Sequence, residues 1–245
     1  MNLPHIKNAW RISMEKHFAI AIDGPSGAGK SSLARKLAEK FSFIYVDTGA
    51  IYRTLALAAI RAGIDRKDED GIMRLLPEVD INMAYNDMGE QRMYLNGEDV
   101  SELIRTPEVS VGASDVSSNG KVREYLLEMQ RKIARDNSVI MDGRDIGTVV
   151  LPQAELKIFL TASSRARAER RLKELTSKGV ETSFEEVLKD IEYRDRQDSQ
   201  RAAAPLKKAE DAVIVDTSDI DFEQSLELLS SIVREKLHLN GEHKR

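Results

Sequence analysis

The sequence predicts an α/β fold of three layers built on a parallel sheet of about five strands. Three observations predict it. Short apolar runs recur at residues 17 to 22, Phe43 to Val46, Val139 to Met141, Leu156 to Leu160 and Ala212 to Val215. Stretches of helical period separate them, and their continuous apolar character marks strands buried on both faces. A glycine-rich loop joins the first run to the first helical pattern, giving the order strand, loop, helix.

The first run, HFAIAI, ends in Asp23-Gly24-Pro25, as a buried strand feeding a turn should. From Gly29 the period becomes helical: Leu33 and Leu37 lie four apart, Ala34 and Ala38 sit beside them, and Lys and Arg take the other face. Arg53 falls among apolar residues on a helix just past the second run. Two stretches break this rhythm. Between about residues 63 and 105, Val79 to Tyr85 and Gln91 to Leu95 flank the turn-rich Asn86-Asp87-Met88-Gly89, and Asn96-Gly97 adds another turn, which reads as a small antiparallel insertion. Between Ser163 and Pro205, Arg165, Arg167, Arg170, Arg171, Arg194, Arg196 and Arg201 fall on two helices. The second opens with a capping box from Ser183 to Glu186 and carries Phe184, Val187, Leu188 and Ile191 on one face. With no repeat, low-complexity tract or flexible linker, residues 14–245 are expected to form one domain after a disordered extension over 1–13.

Composition narrows the function classes. A net charge of −4 over 245 residues calls for neither a nucleic-acid nor an anionic membrane partner. There is no cysteine, which removes disulfides, thiolate nucleophiles and Cys-based zinc sites and fits a cytoplasmic location. The first 13 residues hold Trp10 and scattered basic residues without the apolar stretch of a secretory signal. None of His5, His17, His238 and His243 pairs at metal-ligand spacing.

The chemistry starts at the glycine loop. Gly24, Pro25, Ser26, Gly27, Ala28, Gly29, Lys30 and Ser31 read GPSGAGKS and satisfy G-x-x-x-x-G-K-[ST] in full, between a predicted strand and a predicted helix. Backbone N–H groups and the helix N-terminus there converge on triphosphate oxygens. Lys30 would reach the β- and γ-phosphates, and Ser31 would place its hydroxyl on the Mg²⁺ that bridges them, the remaining ligands coming from nucleotide and water. Asp142 ends an apolar run, where phosphate-loop proteins place a carboxylate near the metal, although such an aspartate also serves as a helix cap or turn. Asp142-Gly143-Arg144-Asp145 then sets two carboxylates and a guanidinium at a strand's carboxyl end, where open α/β sheets bind ligands.

On these residues the chain resembles the bacterial cytidylate kinases, in the nucleoside monophosphate kinase group of P-loop proteins, over nearly all of Phe18 to Leu237. The segments that carry the resemblance are Ile22 to Ser32, Asp47 to Arg53, Ile104 to Ser110, Asp142 to Val150, Lys157 to Arg171 and Arg194 to Leu206. Thr48 stands where the family often has Ser, and Ser31 where Gly is also seen.

The resemblance implies a P-loop kinase fold with the insertion in the monophosphate-binding region and a helical lid over about 161–205. It implies ATP-dependent phosphorylation of CMP and dCMP by in-line transfer, with Mg²⁺ accompanying ATP, by a monomer. Lys30, Asp142, Arg144, Arg170 and Arg171 would be catalytic. The loop with Ser32 and Arg167 would hold ATP. Arg53, Arg144 and Arg201 would hold the acceptor phosphate, with Arg194 beside them. Ser114, Arg123 and Asp145 would read cytosine, with Thr48 nearby and Asp198 on the ribose. Arginine suits both polyanions because its planar fork binds phosphate oxygens in pairs. The same lid arginines also fit a solvated helix face, and Asp145 also fits a pairing with Arg144 or a turn cap. A kinase for UMP, shikimate or another small metabolite is the nearest alternative, and an ATP-binding switch protein a further one. A regulatory GTPase is disfavoured because no Asn-Lys-x-Asp string is present.

Overall fold

Every apolar run becomes a strand in the computed structural model, which describes residues 17–177 and 179–239. The expected extension over 1–13 lies outside the described residues. The main sheet contains β1 (Ala19–Asp23), β2 (Ile44–Asp47), β6 (Val139–Gly143), β7 (Leu156–Thr161) and β8 (Val213–Asp216) in the order β2-β6-β1-β7-β8, all parallel. Alternation explains why the runs are continuously apolar. Ile20, Ile22 and Ile140 face one layer with α1 (Lys30–Phe41) and α8 (Phe222–Leu237), whereas Ala21, Val139 and Met141 face the other with α5 (Gly120–Asp136). β8, at the sheet edge, departs from the expectation of burial on both faces: Val215 packs under α8, but Ile214 on the opposite face is 58% exposed and joins no core cluster.

The insertion holds more than the two expected strands. α2 (Thr48–Arg61) leads to α3 (Glu69–Leu75), then β3 (Ile81–Tyr85) and β4 (Gln91–Leu95) pair antiparallel, and a short β5 (Glu98–Asp99) adds a third strand after the Asn96-Gly97 turn. Asn96 and Gly97 both take positive φ, 51° and 82°, which suits Asn and Gly. The apolar face of this unit, with Ile81, Met93, Leu95 and Val100, packs on Ile51, Leu55 and Ala59 of α2 and on Val109 and Val116 of α4 (Pro107–Ser117).

The arginine-rich stretch forms the two expected helices, α6 (Ser164–Ser177) and α7 (Phe184–Gln200), and the Ser183–Glu186 capping box is present. Ala168, Val187 and Ile191 form a small buried cluster between them, separate from the main core. No described helix is long and apolar enough to cross a membrane.

Candidate active site

The segments that follow β1, β2, β6 and β7 at their carboxyl ends carry the candidate residues. After β1, backbone geometry decides the residues. A Cβ on Gly24 would lie 1.9 Å from the Leu160 carbonyl oxygen, and Gly27 and Gly29 take φ of 76° and 86°. α1 begins at Lys30 with Gly29 at its N-cap and no side-chain cap, so its first N–H groups stay available to an anion. Lys30 is buried and donates from Nζ to the Pro25 carbonyl at 2.7 Å. Burial, with Arg144 adding to it, pushes the Lys30 ammonium down to about 7. Arg167, 4% exposed, donates to the Ser26 carbonyl at 3.0 Å and to both oxygens of Asp195 at 3.0 and 2.6 Å, bracing the loop against α7. Ser32 is exposed on the first turn of α1.

Asp142, at the end of β6, is a meeting point. Its carboxylate accepts from Ser31 Oγ at 2.8 Å and Tyr45 Oη at 3.0 Å, and its carbonyl accepts from Thr48 Oγ1 at 2.8 Å. Burial lifts its carboxyl to about 6, Asp47 adds to the rise, and Lys30 opposes it. The Ser31–Asp142 pair therefore brings two hard oxygen donors together beside the phosphate loop.

The acceptor side gathers around Asp145, which is 3% exposed. Arg123 Nη2 donates to its Oδ2, and Arg201 Nη2 lies 3.5 Å from its Oδ1. Arg123 also stacks over the Tyr52 ring at 5.2 Å. Asp145 therefore pairs with neither Arg144 nor a turn N–H through its side chain: Arg144 instead donates from Nε to Asp198 at 2.6 Å. Burial acts against charge on Arg144, and Asp198 together with Asp142 outweighs it, so its pKa is raised. Arg53 donates to Asp47 at 2.6 Å. Three guanidinium N–H groups here, Arg53 Nε, Arg123 Nε and Arg201 Nη2, are buried without a hydrogen-bond acceptor among the described residues. Arg194, on α7, is held below its usual pKa by burial. Ser114 is exposed on α4, and the nearby Ser117 carbonyl accepts from Arg123 Nη1 at 3.3 Å.

Two lid arginines sit elsewhere in this conformation. Arg170 donates to the Thr217 carbonyl and to Thr217 Oγ1 at 3.1 Å, bracing α6 against the end of β8. Arg171 pairs with Glu174 at 2.7 Å on the surface.

The structure also adds residues that the sequence reading did not single out. Asp23, 4% exposed, accepts at 2.7 Å from both Ile146 N–H and Gly147 N–H, anchoring a π turn (Ile146–Val150) directly after Asp145. Burial lifts its carboxyl to about 6, against the pull of those two N–H groups. Asp47 caps α2 through Ala50 N–H at 3.0 Å while holding Arg53. Asp23 opens the loop motif and Asp47 opens the DTGAIYR segment, so adjacency to those motifs was the available signal.

Comparison with known proteins gives the family. The profile of the cytidylate kinase family matches residues 20–235. The chain belongs to the cytidylate kinase family. A cytidylate kinase of Carboxydothermus hydrogenoformans is 51% identical over 217 residues, covering 89% of this chain and 97% of that protein. Those of Syntrophotalea carbinolica and Thermosipho melanesiensis are 46% and 47% identical, over 91% and 90% of this chain and 94% and 98% of their own lengths. The cytidylate kinase resemblance drawn from the motifs is thus shown over most of the chain.

Proposed function

We propose that this protein transfers the γ-phosphoryl group of ATP to CMP or dCMP, yielding ADP and CDP or dCDP. One observation carries the acceptor site: Arg53 and Arg123 each bury a guanidinium Nε–H without an acceptor, and Arg201 Nη2, also buried, meets Asp145 only as an ion pair at 3.5 Å without a hydrogen bond. Leaving such donors unpaired costs about 1–3 kcal/mol each, a deficit that a nucleotide's phosphate and base oxygens would remove. ATP lies on the Gly24–Ser31 loop with Lys30 on its terminal phosphates, and residues 161–205 act as its lid. Mg²⁺ accompanies ATP: a serine hydroxyl and a carboxylate suit a hard cation that otherwise keeps waters and phosphate oxygens, so Ser31 and Asp142 would hold it. Held there, the ion would supply positive charge against the charge that develops on the transferring group.

The chain's own groups do the rest. Arg144 and Arg201 lie between the two nucleotide sites to align the acceptor oxygen with the phosphorus, and lid closure excludes water as a competing acceptor. A cysteine-free chain fits a reducing cytoplasm.

ADP formation with CMP, dCMP, UMP, AMP and GMP tests this reading. CMP and dCMP are expected to lead. Phosphorylation of another acceptor with neither cytidine nucleotide turned over would overturn it.

A further inference from the structure

β2 is the outermost strand on its side of the main sheet, so no ladder partner meets its outer N–H and C=O groups. The insertion meets them with side chains instead. Asp47 N–H donates to Gln91 Oε1 at 2.7 Å, and Gln91 Nε2 donates back to the Asp47 carbonyl at 3.3 Å. One side-chain amide thus takes both hydrogen bonds that a neighbouring strand's backbone would make. Tyr85 stands directly opposite Gln91 in the β3–β4 ladder, and its hydroxyl donates to the Tyr45 carbonyl at 2.8 Å. The last cross-strand pair of the hairpin therefore clasps the last turn of β2.

What it clasps is the root of the acceptor side. The Asp47 carboxylate caps α2 at Ala50 N–H and accepts from Arg53 Nη2 at 2.6 Å. Space around this unit is tight. A Cβ on Gly49 would lie 3.0 Å from Arg53 Nη1 and 3.1 Å from Asp47 Oδ1. On the other side of the joint a cavity of about 320 Å³ is lined by Arg35, Tyr45, Asp47, Gln91, Met93 and Arg105, among others. Met83 of the hairpin packs on the apolar cluster around Val46, and the Gln91 and Tyr85 hydrogen bonds add the polar tie at the end of β2.

We infer that Gln91, seconded by Tyr85, is a positioning residue for the acceptor nucleotide: it holds the Asp47 backbone, and through the Asp47 carboxylate the Arg53 guanidinium, in register for the acceptor phosphate. The inference rests on the reading of Arg53 as a ligand of that phosphate. A plain edge seal, which stops β2 from pairing with other chains, would use the same contacts but would leave acceptor affinity untouched.

Gln91→Leu and Tyr85→Phe in the full chain separate the two. Exchange of the Asp47 amide hydrogen is followed by NMR, and KM and kcat are measured for ATP and for whichever acceptor the wild type phosphorylates best, so a failure of the cytidine reading leaves this test standing. Gln91→Leu is expected to speed Asp47 exchange and raise acceptor KM by about tenfold, the scale of losing two hydrogen bonds on one part-buried backbone unit, with ATP KM within about twofold. Tyr85→Phe should give the same pattern at roughly twofold. Unchanged Asp47 exchange overturns the joint. Faster exchange with unchanged acceptor KM reduces it to an edge seal, and equal rises in both KM values mark general loosening; either overturns the positioning role. If Gln91→Leu does not fold, Gln91→Met, which keeps the length of the side chain and removes both polar groups that meet Asp47, carries the same decision.

Discussion

Asp145 holds Arg123 and Arg201 at once while almost wholly buried, so any effect of its mutation on selectivity has to be separated from an effect on stability. A buried carboxylate between two cations is costly to delete, because its removal strands both charges. Asp145→Ala should therefore lose about 3 kcal/mol of stability in denaturant unfolding. Asp145→Asn keeps the volume and one acceptor oxygen, and is the better probe of selectivity. Cytosine presents an exocyclic amine where uracil presents a carbonyl, and a carboxylate accepts from the first but faces the second as acceptor against acceptor. The CMP-over-UMP ratio of kcat/KM is expected to fall by about tenfold or more in Asp145→Asn while ATP KM holds. An unchanged ratio would place discrimination elsewhere, Ser114 and Arg123 being next to test. At this scale the residue types were legible in the sequence and their partners in the fold were not. Asp145 stands beside Arg144 in the chain, yet backbone direction at the end of β6 sends Arg144 to Asp198 and Asp145 to Arg123, 22 residues away.

The α6–α7 pair keeps a core of its own beside the main one. Its own cluster of Ala168, Val187 and Ile191, with Leu172, Leu175, Phe184 and Leu188 packed around it, is small and separate from the main core. Arg167 crosses from it to the Ser26 carbonyl, and Arg170 crosses to Thr217. A unit with its own core and a few polar ties opens at lower free energy than the sheet and moves as a body. Amide exchange over 161–205 is therefore expected to slow when a bisubstrate analogue fills both sites, and to slow less when ATP alone is bound. Ile191→Ala should speed exchange across both helices, by an amount matching about 2–4 kcal/mol, without altering exchange in β1 or β6. Equal exchange with and without the analogue would remove the lid from the mechanism. The helices were legible because a capping box and an i, i+3, i+4 apolar face are local signals. The destination of each arginine was not, since Arg170 and Arg171 are identical neighbours in sequence but lie about 100° apart around the helix. One meets Thr217 and the other meets solvent and Glu174.

For the whole molecule, the site's own charges set a pH profile. Asp23 and Asp142 sit at about 6 in the fold, above their ordinary 3.8, so the folded state binds more protons than the unfolded state between those values. Their contribution to stability is full below about 4 and is lost as pH rises through 6. Lys30 sits at about 7, below its ordinary 10.5, so from 7 upward the unfolded state binds more protons and stability rises. Together these groups give a trough between pH 6 and 7 in metal- and nucleotide-free buffer. Melting temperature against pH should show it, Asp142→Asn should flatten the acid limb, and Lys30→Met the alkaline limb. A profile unchanged by either variant would mean that these groups titrate near their ordinary values.

The sequence by itself determined the class of fold, the strand and helix placements, the phosphate loop and the family, because those rest on period, turn chemistry and local motif, all of which act within a few residues. Only the tertiary structure decided that Asp23 anchors the π turn behind Asp145, that Gln91 from the insertion completes the edge of β2, and which carboxylate each arginine meets. Those contacts join residues from 6 to more than 100 positions apart. Hydrogen bonds and ion pairs between chemically interchangeable groups carry no periodic mark in sequence, so their partners follow from the packing that closes the sheet, the insertion and the α6–α7 pair around one site.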